Sequence, residues 1–252
     1  MVLDSVTNIL VLAGTGEARA VIGRLADDPN LRVTASLAGA TTSPKPLPVP
    51  VITGGFGGAE GLASFCLEHQ IDILVDITHP FARHISRNAD LAAGLANIPC
   101  IRYERPAWEI EPGWRSFNDW DSMVAAIPTE ARVFLAGGTA SITAFAMRDD
   151  IYLWARALNV GECENSQRVT YLNAMPHTSV ADELALFTNA GITHLCCKNS
   201  GGDASRAKID AARQLGIPVW MLGRYRREND VQATKICDSL EQVMAAISQL
   251  QK

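Results

Sequence analysis

Glycines, hydroxyls and charged residues in this chain gather directly after short aliphatic runs. The first such cluster is Gly14-Thr15-Gly16-Glu17, which follows the apolar run 8–13 and opens a helix-like stretch. Glycines at that turn let backbone N–H groups approach a phosphate at a helix N-terminus, where the dipole favours an anion. Gly14, Thr15, Gly16 and Glu17 are therefore expected to bind cofactor phosphate. The G-x-G-x-x-G fingerprint is incomplete, because Arg19 stands at the third glycine. After the second apolar run comes Ser36-Leu37-Ala38-Gly39-Ala40-Thr41-Thr42-Ser43, with Lys45 beyond it. An acid for a free ribose diol is missing there. Hydroxyls with a nearby lysine suit a 2′-phosphate, which favours NADPH, with NADH as the alternative, and makes Ser36, Gly39 and Thr41 cofactor candidates.

Asp76-Ile77-Thr78-His79-Pro80-Phe81-Ala82 ends another apolar run, followed by Arg83. Ligands of open parallel sheets collect at the carboxyl ends of strands, and such a polar cluster fits a site better than a core. A plain cap, with Thr78 or His79 closing the helix start, is the alternative. Arg102-Tyr103-Glu104-Arg105-Pro106-Ala107-Trp108 ends the fourth run. Two guanidinium groups there suit a carboxylate clamp, against surface pairing with Glu104 and Glu109. In the second half, Gly137-Gly138-Thr139 and Lys198-Asn199-Ser200-Gly201-Gly202 each follow a run and open a helix. Gly138, Thr139 and residues 198–202 are read as further cofactor contacts, the lysine adding a fixed charge to a backbone nest. Neither has P-loop spacing. Gly223-Arg224-Tyr225-Arg226-Arg227 closes the series as an anion contact or a solvated charge run.

The elements that must hold these clusters are strands at 8–13, 31–37, 71–77 and 99–103, then 131–136, 151–155, 194–197 and 218–222. Helix-like stretches cover 17–26, 59–69, 82–96, 140–147, 180–190, 204–215 and 239–249. Strands apolar throughout belong to parallel sheets covered on both faces, and the repeated β-then-α order implies right-handed crossovers. The fold class is α/β: two Rossmann-like, doubly wound parallel-sheet domains with a ligand cleft between them. Residues 1–105 form the first and 106–252 the second, which includes a Pro- and Trp-bearing crossover at 106–130. Four prolines in 42–50 make that segment an extended flap. One continuous sheet is the alternative.

The 252 residues are 48% hydrophobic and 19% charged, which excludes a disordered chain. Twenty-two Lys and Arg against 27 Asp and Glu give a net charge of -5. Nothing steers this chain globally toward nucleic acid or an anionic membrane, so any anionic ligand needs a local basic pocket. No apolar run approaches the ~20 residues of a membrane span, and no basic leader precedes the first strand. The six cysteines make no C-x-x-C pair. Buried free thiols in a cytoplasmic protein, with no metal site, are expected.

Taken together, Leu12-Ala13-Gly14-Thr15-Gly16-Glu17-Ala18-Arg19, Asp76-Ile77-Thr78-His79-Pro80-Phe81-Ala82, the 102–108 motif, Lys198-Asn199-Ser200-Gly201-Gly202 and the strand at 218–224 resemble the precorrin-6A reductase family of cobalamin biosynthesis. The motifs run in family order over nearly the whole chain. The resemblance implies reduction of one C=C bond of precorrin-6A, in the C18–C19 region, by NADPH to give precorrin-6B. It also implies a polycarboxylate tetrapyrrole substrate held by Thr78, Pro80, Phe81, Arg83, Arg102, Arg105 and Arg224, and a product handed to the next corrin-pathway enzyme. His79, Asp76 and Tyr103 are the candidate proton donors, with a bound water as the alternative. One departure is Ala40, where a basic residue is expected in the family; Lys45 or an arginine of the other half is the substitute. A cobalt-precorrin-6A reductase, a non-catalytic tetrapyrrole or nucleotide carrier, and a reductase or nucleotide-sugar enzyme with another substrate are the competing readings.

Overall fold

The computed structural model describes residues 6–39, 45–158, 164–225 and 234–251. The first series runs β1 (Thr7–Leu12), α1 (Gly16–Ala26), β2 (Leu31–Leu37), β3 (Val51–Thr53), α2 (Ala59–Glu68), β4 (Ile73–Asp76), α3 (Arg83–Ala96) and β5 (Cys100–Tyr103). The second runs β6 (Arg115–Phe117), α4 (Trp120–Ala126), β7 (Arg132–Ala136), α5 (Thr139–Ala146), β8 (Tyr152–Ala157), β9 (Val169–Asn173), α6 (Val180–Ala190), β10 (His194–Lys198), α7 (Ala207–Gln214) and β11 (Val219–Leu222). A last pair follows, β12 (Thr234–Cys237) and α8 (Leu240–Leu250).

The strands make two six-stranded sheets, ordered β3-β2-β1-β4-β5-β12 and β9-β8-β7-β10-β11-β6. Every strand pair is parallel. Each sheet therefore has the strand order of a doubly wound dinucleotide fold, reversing direction between β1 and β4 in one and between β7 and β10 in the other. The expected α/β class with parallel sheets is what the chain forms.

The division of the chain differs from the sequence expectation. One compact unit is Met1–Pro106 with Arg227–Lys252, and the other is Ala107–Arg226. The last β-α pair, expected in the second domain, belongs to the first. Strand β12 pairs with β5, Thr234 opposite Cys100 and Cys237 opposite Tyr103. Helix α8 buries Val243, Ala246 and Ile247 in one cluster with Ile9, Val11 and Ile101. The sixth place in the second sheet is filled instead by β6, the strand that follows β5 in the chain.

Strand β1 shows why its sequence is apolar throughout. Ile9 and Val11 pack with α1 and α8 residues, whereas Leu10 and Leu12 pack with Leu62, Cys66, Ala89 and Ala92 of α2 and α3. Both pleat faces are buried, as alternation of side chains across a covered sheet requires. In the second unit, Phe134, Leu195, Val219 and Met221 pack on Phe187 of α6 and Ile209 of α7. Helices α1, α4, α6 and α8 each start on a Thr, Asp or Ser whose side chain accepts the N–H of the third helical residue. No helix among the described residues is long and apolar enough to cross a membrane.

Candidate active site

In the first unit the β1–α1 turn and the end of β4 meet at the point where strand order reverses. Gly14 has φ +130, a conformation that favours glycine, and a Cβ there would project into open space above the turn. Thr15 is the N-cap of α1, its Oγ1 accepting the N–H of Ala18 at 3.1 Å. The same hydroxyl donates to the carbonyl of Ile77 at 2.8 Å, which ties the glycine turn to the end of β4. Its oxygen thus shapes the turn, and the turn's contribution to a ligand is the unpaired N–H groups of the first helical residues. Glu17 in that first helical turn is paired with the buried Arg105, which offsets its negative charge beside the turn. Thr15, Thr78, Pro80, Tyr103 and Arg105 line a shallow depression at this place.

The Thr78-His79-Pro80 turn owes its shape to Asp76. Oδ1 of Asp76 accepts the Thr78 N–H at 3.0 Å and the Thr78 hydroxyl at 2.6 Å, while Oδ2 accepts Nε of Arg102 at 2.6 Å. Arg102 also pairs with Asp90 at 2.9 Å and donates to the Ser86 carbonyl at 2.5 Å. Asp90 in turn accepts the Thr234 hydroxyl of β12 at 2.7 Å. Arg102 is only 2% exposed and Asp76 1%. Arg102, expected as a carboxylate clamp, is buried with its guanidinium on Asp76, Asp90 and the Ser86 carbonyl, and Asp76, expected as a proton donor, has both carboxylate oxygens engaged. Its burial follows from register, since Asp76 lies opposite Leu12 and Arg102 in the middle of the sheet.

His79 is half-buried, and its Nδ1 accepts the Phe81 N–H at 3.2 Å. In the neutral ring that leaves the hydrogen on Nε2, where it can donate a hydrogen bond; acting as an acid requires the imidazolium, protonated on both nitrogens. Neither Thr78 nor His79 caps α3, whose N-cap is Ala82 without a side-chain bond. Tyr103 and Phe81 are half-buried, and Arg83, the first residue of α3, is exposed. Ser36 is buried and contributes its carbonyl to the Ala13 N–H at 2.9 Å. Gly39, two residues beyond β2, has φ +76, and Thr41 lies outside the described residues, as do Ala40, Arg226 and Arg227. Arg19, at the missing third glycine, donates to the carbonyls of Lys45 and Pro46 at 2.8 and 2.5 Å and so holds the proline-rich segment beside α1.

The second unit builds a comparable place between β7 and β10. Gly138, with φ +82, is the N-cap of α5, and Thr139 is its exposed first residue. A Cβ on Gly138 would stand 3.6 Å from Nζ of Lys198, so the ammonium lies over this turn. Partial burial lowers the Lys198 pKa from its ordinary value, since desolvation penalises the charged form. Gly137 cannot carry a side chain, because its Cβ would collide with Ser141 Oγ and come within 2.8 Å of Trp120. The remainder of the Lys198-to-Gly202 turn is held from behind. The Asn199 amide bonds the backbone of Trp108 in both directions at 2.8 Å, and Arg224 donates to the carbonyls of Asn199 and Ser200. The Asn199 side chain, expected on the cofactor, is occupied by Trp108, and two nitrogens of Arg224 serve the loop.

Sequence reasoning missed Asp90, Thr234 and Trp108 as parts of these sites. A lone Asp inside the alanine-rich stretch of α3 was the available sign for the first. Cys66, Cys100, Cys196, Cys197 and Cys237 are buried and free, and burial pushes Cys66 up to about 11 and Cys100 to about 12, so both stay protonated thiols. Cys163 lies outside the described residues. Among the described residues no group of three His, Cys, Asp or Glu side chains is arranged to hold a metal ion.

Residues 8–248 match the family model described as precorrin-6x reductase CbiJ/CobK. A protein of Rhodococcus erythropolis named precorrin-6A reductase is 43% identical over 86% of this chain and 89% of its own length. One of Sinorhizobium with the same name is 41% identical over 91% of this chain and 89% of its own length. The solved structure named CobK precorrin-6A reductase superposes with a TM-score of 0.85 at 33% identity, covering 97% of both chains.

Proposed function

The chain belongs to the precorrin-6x reductase family, and we propose that it reduces a C=C bond of precorrin-6A with NADPH to give precorrin-6B. NADPH supplies a hydride to the electron-poor macrocycle, and the protein supplies orientation, electrostatics and a proton for the neighbouring carbon. The single observation that carries the cofactor assignment is the β1–α1 turn: an N-capped helix start, an open approach at Gly14, and Glu17 neutralised by Arg105. Gly14, Gly16 and Glu17 would receive the pyrophosphate on their backbone N–H groups. Gly39 and Lys45 would face the adenosine ribose, with Lys45 held near α1 by Arg19 and able to replace the base missing at Ala40.

The turn at Gly138, Thr139 and Lys198 is assigned here to a carboxylate arm of the tetrapyrrole instead of to the cofactor. It offers one compact ammonium over a glycine turn, which suits a small monovalent anion better than a pyrophosphate. Arg105, Thr78, Pro80, Phe81 and Arg83 remain on the substrate side of the first unit. His79, charged as the imidazolium and left as the neutral ring after transfer, is the proton donor, and Tyr103 lines the same depression as the second choice. The metal-free substrate is favoured by the names of the relatives above 40% identity. The reaction would run in the cytoplasm, where free thiols persist, with the product passing to the enzyme that next modifies the ring.

Substitution separates the two sites. Lys198→Ala is expected to raise the KM for precorrin-6A about tenfold, the loss of a charged hydrogen bond of ~1.5 kcal/mol or slightly less, and to leave the KM for NADPH unchanged. Lys45→Ala is expected to lower the preference for NADPH over NADH. A rise in the NADPH KM alone on loss of Lys198 would return that turn to the cofactor.

A further inference from the structure

The 102–108 motif ends in an indole whose work lies outside the depression described above. Trp108 is 7% exposed, and its Nε1 donates to the Gly202 carbonyl at 3.0 Å. Its backbone N–H and carbonyl are taken by the side-chain amide of Asn199, itself buried. On the same loop Arg224 draws in the carbonyls of Asn199 at 3.0 Å and Ser200 at 2.7 Å. Below the indole, Lys208 sits 5.2 Å from the ring centre with its ammonium on the Ser205 carbonyl at 2.6 Å. Three carbonyls of the turn, at residues 199, 200 and 202, are thereby fixed on partners within this unit.

A carbonyl facing an anion repels it, and a trans peptide sets its N–H opposite its C=O. Fixing the Ser200 and Gly202 carbonyls therefore fixes the N–H groups of Gly201 and Asp203 on the other side. Gly201 and Gly202 both have left-handed φ, +66 and +68, a course that glycine adopts without strain and that sets the direction of the N–H groups in the turn. We infer that Trp108, Asn199 and Arg224 are positioning residues that hold the Lys198-to-Gly202 turn in its anion-receiving shape, setting affinity for an acidic arm of the substrate without touching it. This rests on the assignment of that turn to a carboxylate.

The test is a double-mutant cycle between Trp108→Phe and Lys198→Ala, read as KM for precorrin-6A and for NADPH, with thermal unfolding recorded for each variant. Phenylalanine keeps most of the packing and releases only the Gly202 carbonyl. Trp108→Phe alone is expected to raise the precorrin-6A KM by about fivefold, as one hydrogen bond would. In the Lys198→Ala background its further effect should be under about twofold, because without the ammonium the acidic arm no longer seats against the Gly201 and Asp203 N–H groups that the indole holds in place. Arg224→Lys enters the same cycle if the indole variant is poorly folded. Equal effects in both backgrounds, or an equal rise in the NADPH KM, would overturn the clamp while leaving the carboxylate site standing. No effect from Lys198→Ala itself would remove the site and the clamp together.

Discussion

In the proposed reaction His79 delivers a proton and Lys198 holds a carboxylate, and one substitution tests each role. Neutral His79 keeps its hydrogen on Nε2, because the Phe81 N–H claims Nδ1, and it takes up a second proton before it can act as an acid. His79→Ala should lower kcat by more than about tenfold, ~1.4 kcal/mol in the barrier, with little change in either KM. A smaller loss in single-turnover kinetics would leave proton delivery to water or Tyr103. Lys198 should show itself in the pH profile. Its pKa is lowered by burial, so its charge, present at low pH, is lost as pH rises through a value below the ordinary 10.5. The precorrin-6A KM should accordingly climb on the alkaline side earlier than a solvated lysine would allow. Lys198→Arg, whose guanidinium keeps its proton, should flatten that rise. An identical climb in both proteins would exclude Lys198 as its source.

The elements that hold these residues differ in how plainly the sequence announced them. The inner strands β1, β2, β4, β5, β7, β8, β10 and β11 stand as apolar runs at nearly their true bounds, because both of their faces are covered. The strands passed over are β3, β6, β9 and β12, and all four are sheet edges. An edge strand such as Thr-Lys-Ile-Cys leaves Lys235 and Ile236 exposed, so it lacks the continuous apolar signal. The glycine turns at 14–16 and 137–138 lie where their sequence put them, between a strand and the start of a helix. The role of Arg102 was not legible there, since only register reveals that it points between Asp76 and Asp90. Breaking that buried cluster with Arg102→Met should cost roughly 3–5 kcal/mol in urea unfolding, because two carboxylates lose their partner inside the sheet. Gly137→Ala should also destabilise, its Cβ colliding with Ser141 and Trp120. Gly23→Ala, in the interior of α1 with open space around it, should instead stabilise by about 0.5–1 kcal/mol. A loss of stability there would mean the added methyl meets something the packing does not display.

At the scale of the whole chain, the return of β12 and α8 to the first sheet makes the C-terminal residues part of the unit that begins the sequence. Chain order alone could not disclose this, since a final β-α pair fits the end of either sheet. Removing residues 227–252 should therefore unfold the first unit, which loses Val243, Ala246 and Ile247 from its core and Thr234 from Asp90, while the second keeps its own sheet. Limited proteolysis of the shortened chain would reveal this as selective cleavage within residues 6–106. Uniform resistance would contradict the assignment of β12 to that sheet. The central claim is that the molecule transfers reducing equivalents from NADPH to precorrin-6A. Its most direct test is the absorbance of NADPH and of the macrocycle, followed together on mixing the purified protein with both. Reduced nicotinamide should disappear in step with a change in the macrocycle spectrum, in a manner dependent on precorrin-6A and weaker with NADH. Tight binding of the tetrapyrrole, metal-free or cobalt-bearing, with neither nicotinamide oxidised would contradict it and leave a carrier.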